Sequence, residues 1–325
     1  MKTFEFQVKD FHLDHIFDCG QCFRWNREAD GSYVGIAGGR IARMEFQPES
    51  EDRLVRGQLR PSTEGLLTIR DFSTCGSDGD EEDAGGREFW QAYLDLDRDY
   101  GKIKRSLTRG DRQMGRAIRC GEGIRLLKQD FWETMISFII SQNNHIPRIK
   151  SCIESVAAAA GTPAGQLEGR TYFQLPAAQA MAALTAADLA DCRLGYRAPY
   201  LIESAKQVME AGGAEAVEAR LRELKETKGP DAVIEALQEF SGVGPKVASC
   251  IALFGVQNFR AFPLDVWMKR TMHETYGFGE NDVKGMDAYA RENFRGREGF
   301  AQQYLFYAAR VQAQAAARSQ TLHKK

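Results

Sequence analysis

Apolar and polar positions follow two different rhythms along this chain. Over the first 70 residues they alternate in short bursts, and from Glu88 nearly to the end the apolar residues recur every three or four positions. Alternation with β-branched and aromatic residues predicts strands at 4–8, 23–25, 32–37, 40–46 and 66–69. Ala29-Asp30-Gly31 and Gly38-Gly39 stand between them as hairpin turns. The longer period predicts helices at Phe131–Ile140, Ile146–Ala160, Asp231–Phe240, Pro245–Phe254 and Glu298–Ala317. Pro147 suits the start of the second helix and Gly161 its stop. The stretch 73–88 is acidic, polar and rich in glycine, which predicts a mobile loop. The fold class is therefore α+β: a small N-terminal antiparallel β-sheet domain over residues 1–100, then a large all-helical domain over 101–325. No internal repeat is present.

Composition sets the broad class. With 325 residues, 43% hydrophobic and 27% charged, the chain is an ordinary globular protein with one large core or two smaller ones. Its N-terminus, M-K-T-F-E-F-Q-V-K-D, lacks the apolar segment of a signal peptide, and no run approaches the ~18 apolar residues that span a bilayer. Seven scattered cysteines, an odd number, point to a reducing compartment: the cytoplasm or nucleoid of a bacterium, or a eukaryotic nucleus. Cys19 and Cys22 form a C-x-x-C pair with no second pair or histidine cluster, so they read as ordinary half-buried thiols rather than metal ligands. The net charge of −2 hides a local asymmetry. Arg98 to Lys128 holds ten Lys or Arg against Asp99, Asp111 and Glu122, whereas Asp78, Asp80, Glu81, Glu82 and Asp83 crowd one acidic stretch. The basic run is a weak signal for a surface that contacts phosphates.

The candidate chemistry lies in S-G-V-G-P-K-V-A-S-C at Ser241–Cys250 and F-P-L-D-V-W at Phe262–Trp267. Gly242, Val243 and Gly244 make a tight turn, Gly244 is a candidate N-cap, and Pro245 suits the first helical position. Lys246 then falls in the first turn, where the helix dipole disfavours an ammonium and favours the neutral, nucleophilic amine. Nineteen residues later Asp265 is the only acid between Val256 and Lys269. An amine able to attack a sugar carbon, beside a carboxylate able to steady a cationic sugar, suggests N-glycosidic bond chemistry.

These two segments resemble the helix–hairpin–helix, Gly/Pro-Asp superfamily of DNA base-excision glycosylases, and the Lys-plus-Asp combination resembles its bifunctional members. F-D-C-G-Q-C-F-R-W at Phe17–Trp25 resembles the N-terminal segment of the 8-oxoguanine DNA glycosylases in particular. That resemblance implies that the Gly20 carbonyl faces the imidazole edge of a flipped base. Guanine N7 is an acceptor whereas 8-oxoguanine carries a proton there, so a backbone acceptor rewards the lesion. S-Q-N-N-H-I-P-R-I at Ser141–Ile149 resembles the loop that fills the vacated stack. Asn143 would occupy the gap, Arg148 and Arg197 would read the opposite cytosine, and Tyr196 would act as the wedge. On G-F-A-Q-Q-Y-L-F, Gln302 and Phe306 share a helical face at i, i+4; the resemblance gives them the Watson–Crick edge and one face of the base. It gives Cys250, one turn after Lys246, the other face.

The resemblance runs from about Phe11 to Phe306, with gaps in the acidic stretch and around 160–190. Two positions depart from it: His145 replaces a third Asn, and Trp267 stands where many relatives place a phosphate-binding His. The expected activity is a bifunctional 8-oxoguanine DNA glycosylase/AP lyase with Lys246 as nucleophile and Asp265 as the electrostatic partner. Gly242, Gly244 and Val247 would offer backbone N–H groups to a DNA phosphate. The chemistry requires no metal and no organic cofactor, since glycosidic hydrolysis involves neither redox nor group transfer. The expected partner is double-stranded DNA containing 8-oxoguanine, met by a monomer away from any membrane. Two rivals stand beside this reading. An alkylpurine glycosylase of the same superfamily needs the aspartate but not the lysine. A non-catalytic helix–hairpin–helix DNA-binding protein needs neither Asp265 at this spacing nor Gln302 and Phe306 together.

Overall fold

The structure is a computed structural model of the full chain and describes residues 1–55, 58–73 and 84–322. The N-terminal part contains β1 (Lys2–Val8), α1 (Leu13–Phe17), β2 (Trp25–Arg27), β3 (Tyr33–Ala37), β4 (Arg40–Pro48), the short hairpin β5 (Arg53–Val55) and β6 (Gln58–Arg60), and β7 (Gly65–Asp71). Five strands pair antiparallel in the order β1-β7-β4-β3-β2. Along β1, Phe4, Phe6 and Val8 are buried while their neighbours face water, as alternation requires. The inner face packs Trp25, Tyr33, Met44, Leu67 and Ile69 against Trp90, Tyr93 and Leu94. Those last residues come from α2 (Ala84–Tyr93) and the turn after it. The mobile loop expected over 73–88 lies largely outside the described residues, but its last five positions belong to α2, where Phe89 and Trp90 anchor the helix to the sheet.

The helical part runs through α3 (Tyr100–Leu107), α4 (Arg112–Cys120), α5 (Phe131–Ser141) and α6 (Ile146–Ala160), then a hairpin of β8 (Pro163–Leu167) and β9 (Arg170–Phe173). It continues with α7 (Ala178–Ala182), α8 (Arg197–Glu210), α9 (Ala214–Thr227), α10 (Pro230–Leu237), α11 (Pro245–Gly255), α12 (Val266–Tyr276), α13 (Val283–Phe294) and α14 (Glu298–Leu322). Aspartates cap many of these helices: Asp99, Asp111, Asp130, Asp265 and Asp282 each accept a first-turn N–H. Helices α5 and α11 are apolar almost all round and form the centre of the second core. Burying each Ile or Phe there contributes about 1.5–3 kcal/mol.

Three expectations need correction. The 23–25 strand begins only at Trp25, because Phe23 turns away from the sheet to pack edge-on against Phe138 of α5 at 5.7 Å. Helix α10 stops at Leu237, three residues early, and Phe240 lies in the turn that leads to the hairpin glycines. The helical part also carries the β8–β9 hairpin, whose Tyr172 and Leu167 cover the outer face of the sheet. That cover explains why every residue of β3 is buried rather than every second one.

Candidate active site

Two helix N-termini bring the chemistry together. Helix α11 starts from Gly244, in extended backbone, with Pro245 at its first position. Its first intrahelical bond runs from Ala248 to the Gly244 carbonyl, so the N–H groups of Lys246 and Val247 lack helical acceptors. The Lys246 ammonium sits 5.5 Å above the Phe138 ring. Helix α12 starts from Asp265, whose Oδ1 accepts the Met268 N–H at 2.8 Å. Burial raises the Asp265 carboxyl pKa, while the Met268 and Trp267 N–H groups and the Lys246 charge pull it down. Lys246 and Asp265 therefore feel each other's charge, yet no direct ion pair joins them among the described residues. The charge of an amine at one helix start thus reaches a largely buried carboxylate at the next.

Gly242 packs so closely on Tyr200 that a side chain there would meet the tyrosine Cβ at 2.6 Å. Its carbonyl accepts from the Gln142 amide at 2.9 Å, which ties the hairpin to the loop after α5. Ser204 of α8 donates to the Ser241 carbonyl at 2.5 Å, and Gln207 accepts the Ser241 N–H at 2.7 Å. The hairpin is held from two sides.

The expected base pocket assembles around α14. Gly20 follows α1 in a left-handed conformation (φ +83°), and a Cβ there would lie 3.1 Å from Phe306 and 3.5 Å from Arg310. The backbone angle favours glycine strongly, and the close Phe306 ring adds to that preference. Gln21 is fully buried and fixes this turn: its amide donates to the Ile16 and Arg125 carbonyls, and its oxygen accepts the Leu127 N–H. Gln303 donates to the Cys19 carbonyl at 2.8 Å, clamping α14 to the other side of Gly20. Gln302 is 5% exposed, and its amide oxygen has no hydrogen-bond partner. A buried acceptor without a donor is costly, and a ligand donor would satisfy it. Cys250 is buried one turn after Lys246; burial raises its thiol pKa and the Lys246 charge opposes the rise. Cys19 and Cys22 are buried rather than half-buried as expected, because each packs into a core beside the Gly20 turn; burial pushes the Cys19 thiol up to about 12 and raises that of Cys22, so neither is a reactive nucleophile.

The loop between α5 and α6 carries the remaining candidates. Asn143 is exposed in the left-handed region (φ +47°), which Asn tolerates better than most side chains. Arg148 is exposed and, among the described residues, makes one hydrogen bond, to the Arg193 carbonyl at 3.3 Å. Arg197 is placed quite differently. It is 4% exposed, and its guanidinium binds the carbonyls of Gln142, Asn143 and Leu194. Four of its five N–H groups are therefore used inside the protein, and it braces the loop. Tyr196, 51% exposed, stacks beneath that guanidinium and edge-on to Tyr200. Among the described residues, four of the eight exposed large apolar side chains, Tyr196, Tyr200, Val266 and Trp267, flank this one site, which marks it as a binding face. His145 is exposed and offers no side-chain cap to α6.

Gln21, Gln303 and Arg310 escaped the sequence reading. Arg310 alone left a signal, since it continues the Gln302–Phe306 spacing by one further turn. No group of His, Cys, Asp and Glu side chains able to hold a metal occurs among the described residues, and no helix among them is long and apolar enough to cross a membrane.

Comparison with known proteins supplies the context. Residues 3–135 match the family of 8-oxoguanine DNA glycosylase N-terminal domains, and residues 136–295 match the HhH-GPD superfamily of base excision DNA repair proteins. The 8-oxoguanine glycosylase/lyase of Clostridium acetobutylicum, solved with double-stranded DNA containing cytosine opposite 8-oxoguanine, is 34% identical with a TM-score of 0.79. That match covers 96% of this chain and 99% of the other. N-glycosylase/DNA lyase OGG1 of Arabidopsis thaliana is 28% identical over 307 residues, 92% of this chain and 75% of its own length. A probable N-glycosylase/DNA lyase of Methanothermobacter thermautotrophicus is 32% identical over 220 residues, 62% of this chain and 68% of its own.

Proposed function

Because the chain belongs to the 8-oxoguanine DNA glycosylase family of N-glycosylase/DNA lyases, we propose that it extrudes 8-oxoguanine opposite cytosine, with Lys246 and Asp265 as its catalytic pair. The observation that supports this reading is the Lys246 amine and the largely buried Asp265 carboxylate at two helix starts, near enough for the lysine charge to lower the carboxyl pKa. The Lys246 amine attacks C1′ of the flipped nucleoside. Asp265 steadies the positive charge that develops there, and the low-dielectric setting that raises its pKa also strengthens this interaction. The resulting Schiff base then permits β-elimination of the 3′ phosphate.

Recognition divides among the other residues. The Gly20 carbonyl accepts the N7–H that only the lesion carries. Gln302 accepts from the donors of the Watson–Crick edge, and Phe306 and Cys250 hold the two faces of the ring. Asn143 and Tyr196 fill and wedge the stack. Arg148 reads the opposite cytosine, while Arg197 contributes one remaining N–H and mainly holds the loop in place. The free N–H groups of the hairpin, around Gly242, Gly244 and Val247, take a phosphate without reading sequence. In this reading residues 1–100 supply the Gly20 turn, residues 101–325 supply the rest, and the protein acts as a monomer. The test is incision of duplexes carrying 8-oxoguanine opposite each of the four bases, beside an undamaged guanine:cytosine duplex. Preferential cleavage opposite cytosine supports the reading; equal excision of undamaged guanine, or binding without cleavage, contradicts it.

A further inference from the structure

Arg310 lies on the face of α14 that forms the expected base pocket. Gln302, Phe306 and Arg310 are spaced by four residues each, so they line one edge of the helix over about 12 Å. The Arg310 guanidinium spans the Gly20 turn: Nη1 donates to the Asp18 carbonyl at 2.9 Å and lies 3.5 Å from where a Cβ on Gly20 would stand. Its carbon sits 5.6 Å from the Phe306 ring centroid. No other hydrogen bond and no ion pair engages this guanidinium among the described residues. Its charge nevertheless reaches both Cys19 and Asp265. A cation with unused donors therefore packs on the Gly20 turn and the Phe306 ring, near enough for its charge to act on the proposed catalytic carboxylate.

The order along α14 says which part of the base it would meet. Gln302 takes the Watson–Crick edge, and Phe306, one turn later, lies beneath the ring. Arg310, a further turn on, lies at the opposite end against the Gly20 turn, bonded to the Asp18 carbonyl and 3.5 Å from where a Gly20 Cβ would stand. In 8-oxoguanine the atom next to N7 on that side is C8, whose carbonyl oxygen O8 is an acceptor. In guanine the same position carries C8–H, which offers a cation nothing.

We infer that Arg310 is a specificity-determining residue that donates to O8 of the extruded 8-oxoguanine and stabilises the base as it leaves. This inference rests on the glycosylase reading given above. When the C1′–N9 bond breaks, its electron pair passes to N9 and, through the amide system, onto O8. Lys246 Nζ forms the new bond to C1′, and the proton it releases neutralises the departing base. A guanidinium at O8 stabilises the anion while it exists, as an oxyanion-hole donor does.

The experiment compares Arg310→Met, which keeps the apolar stem, with Arg310→Lys and wild type. Binding is measured on three duplexes with cytosine opposite 8-oxoguanine, guanine or a tetrahydrofuran abasic analogue, in a Lys246→Gln background. Single-turnover excision is measured with Lys246 intact. The expected result for Arg310→Met is about tenfold weaker binding to the 8-oxoguanine duplex, with abasic-duplex affinity within about twofold, and excision slower by about 10- to 100-fold. Arg310→Lys should recover part of both. Equal losses on the lesion and abasic duplexes, with a salt slope reduced by about one, would make Arg310 a phosphate contact and overturn the inference. A matching fall in thermal stability with equal losses on all three duplexes would make it only a brace for the Gly20 turn, and would also overturn it. If wild type itself fails to excise 8-oxoguanine, the glycosylase reading fails instead, which separates the two claims.

Discussion

Arg197 and Arg148 would be interchangeable readers of the opposite base if chain pattern alone were considered, and the structure separates them sharply. Arg197→Ala removes four donors from the carbonyls of Gln142, Asn143 and Leu194 and empties a site only 4% exposed. A hydrogen bond to a charged group contributes about 1.5–3 kcal/mol, but the Gln142 and Asn143 carbonyls lie near the surface and can recover water. Desolvating the guanidinium offsets part of the remainder. The net cost works out at about 2–4 kcal/mol, with excision falling opposite every base because the loop carrying Asn143 loses its brace. Arg148→Ala loses one long bond to the Arg193 carbonyl, so stability should change by less than about 0.5 kcal/mol. Its preference for cytosine over adenine should instead narrow by roughly one to two orders of magnitude, the equivalent of about 1–3 kcal/mol of discrimination. Urea denaturation and single-turnover excision opposite C and A measure both quantities for each variant. If Arg197→Ala leaves stability within about 0.5 kcal/mol of wild type and changes only the C-to-A ratio, the brace assignment is wrong.

Two further predictions follow from buried carboxylates. Asp265→Asn should slow base excision by orders of magnitude while retaining lesion binding, and should remove the acidic limb of the pH–rate profile. Because burial raises the folded-state pKa of Asp265, its ionised form costs stability as pH rises through that value. Asn also caps helices well, so this variant should be as stable as wild type near pH 4 and more stable at neutral pH by urea denaturation; the reverse trend would contradict the assigned environment. Glu133 on α5 is pushed up to about 7, chiefly by burial and then by Asp130. Glu133→Gln should therefore stabilise the protein at pH 8 by up to about 3 kcal/mol and do nothing below about pH 4.5. A pH-independent difference in urea midpoints would remove this account.

How much the chain discloses depends on whether the determining contact is local. The Gly38-Gly39 turn was legible because two adjacent glycines supply the paired positive φ of a tight hairpin. The β8–β9 turn uses the same geometry at Glu168 (φ +52°) and Gly169 (φ +77°), but glutamate is not a residue that announces it, so the hairpin went unread. The Lys246 helix start was legible from Gly244-Pro245, because caps and first turns are written in neighbouring residues, whereas the helix that Asp265 caps was not among those expected. The bonds that shape the pocket are not local. Gln303 reaches the Cys19 carbonyl across 284 positions, and Gln21 reaches Arg125 across 104. Nothing in the alternation of apolar residues encodes such a pairing. Arg197 illustrates the same limit: its type and place were visible, but its burial against the Gln142 carbonyl depends on how α8 packs beside α5.

Borohydride trapping on an 8-oxoguanine:cytosine duplex, followed by mapping of the adduct, tests the central assignment most directly. Wild type should form a covalent protein–DNA complex whose modified residue is Lys246. Lys246→Gln should bind the same duplex and yield no adduct and no strand cleavage. An adduct mapped to another residue, or undiminished trapping in Lys246→Gln, would contradict the account.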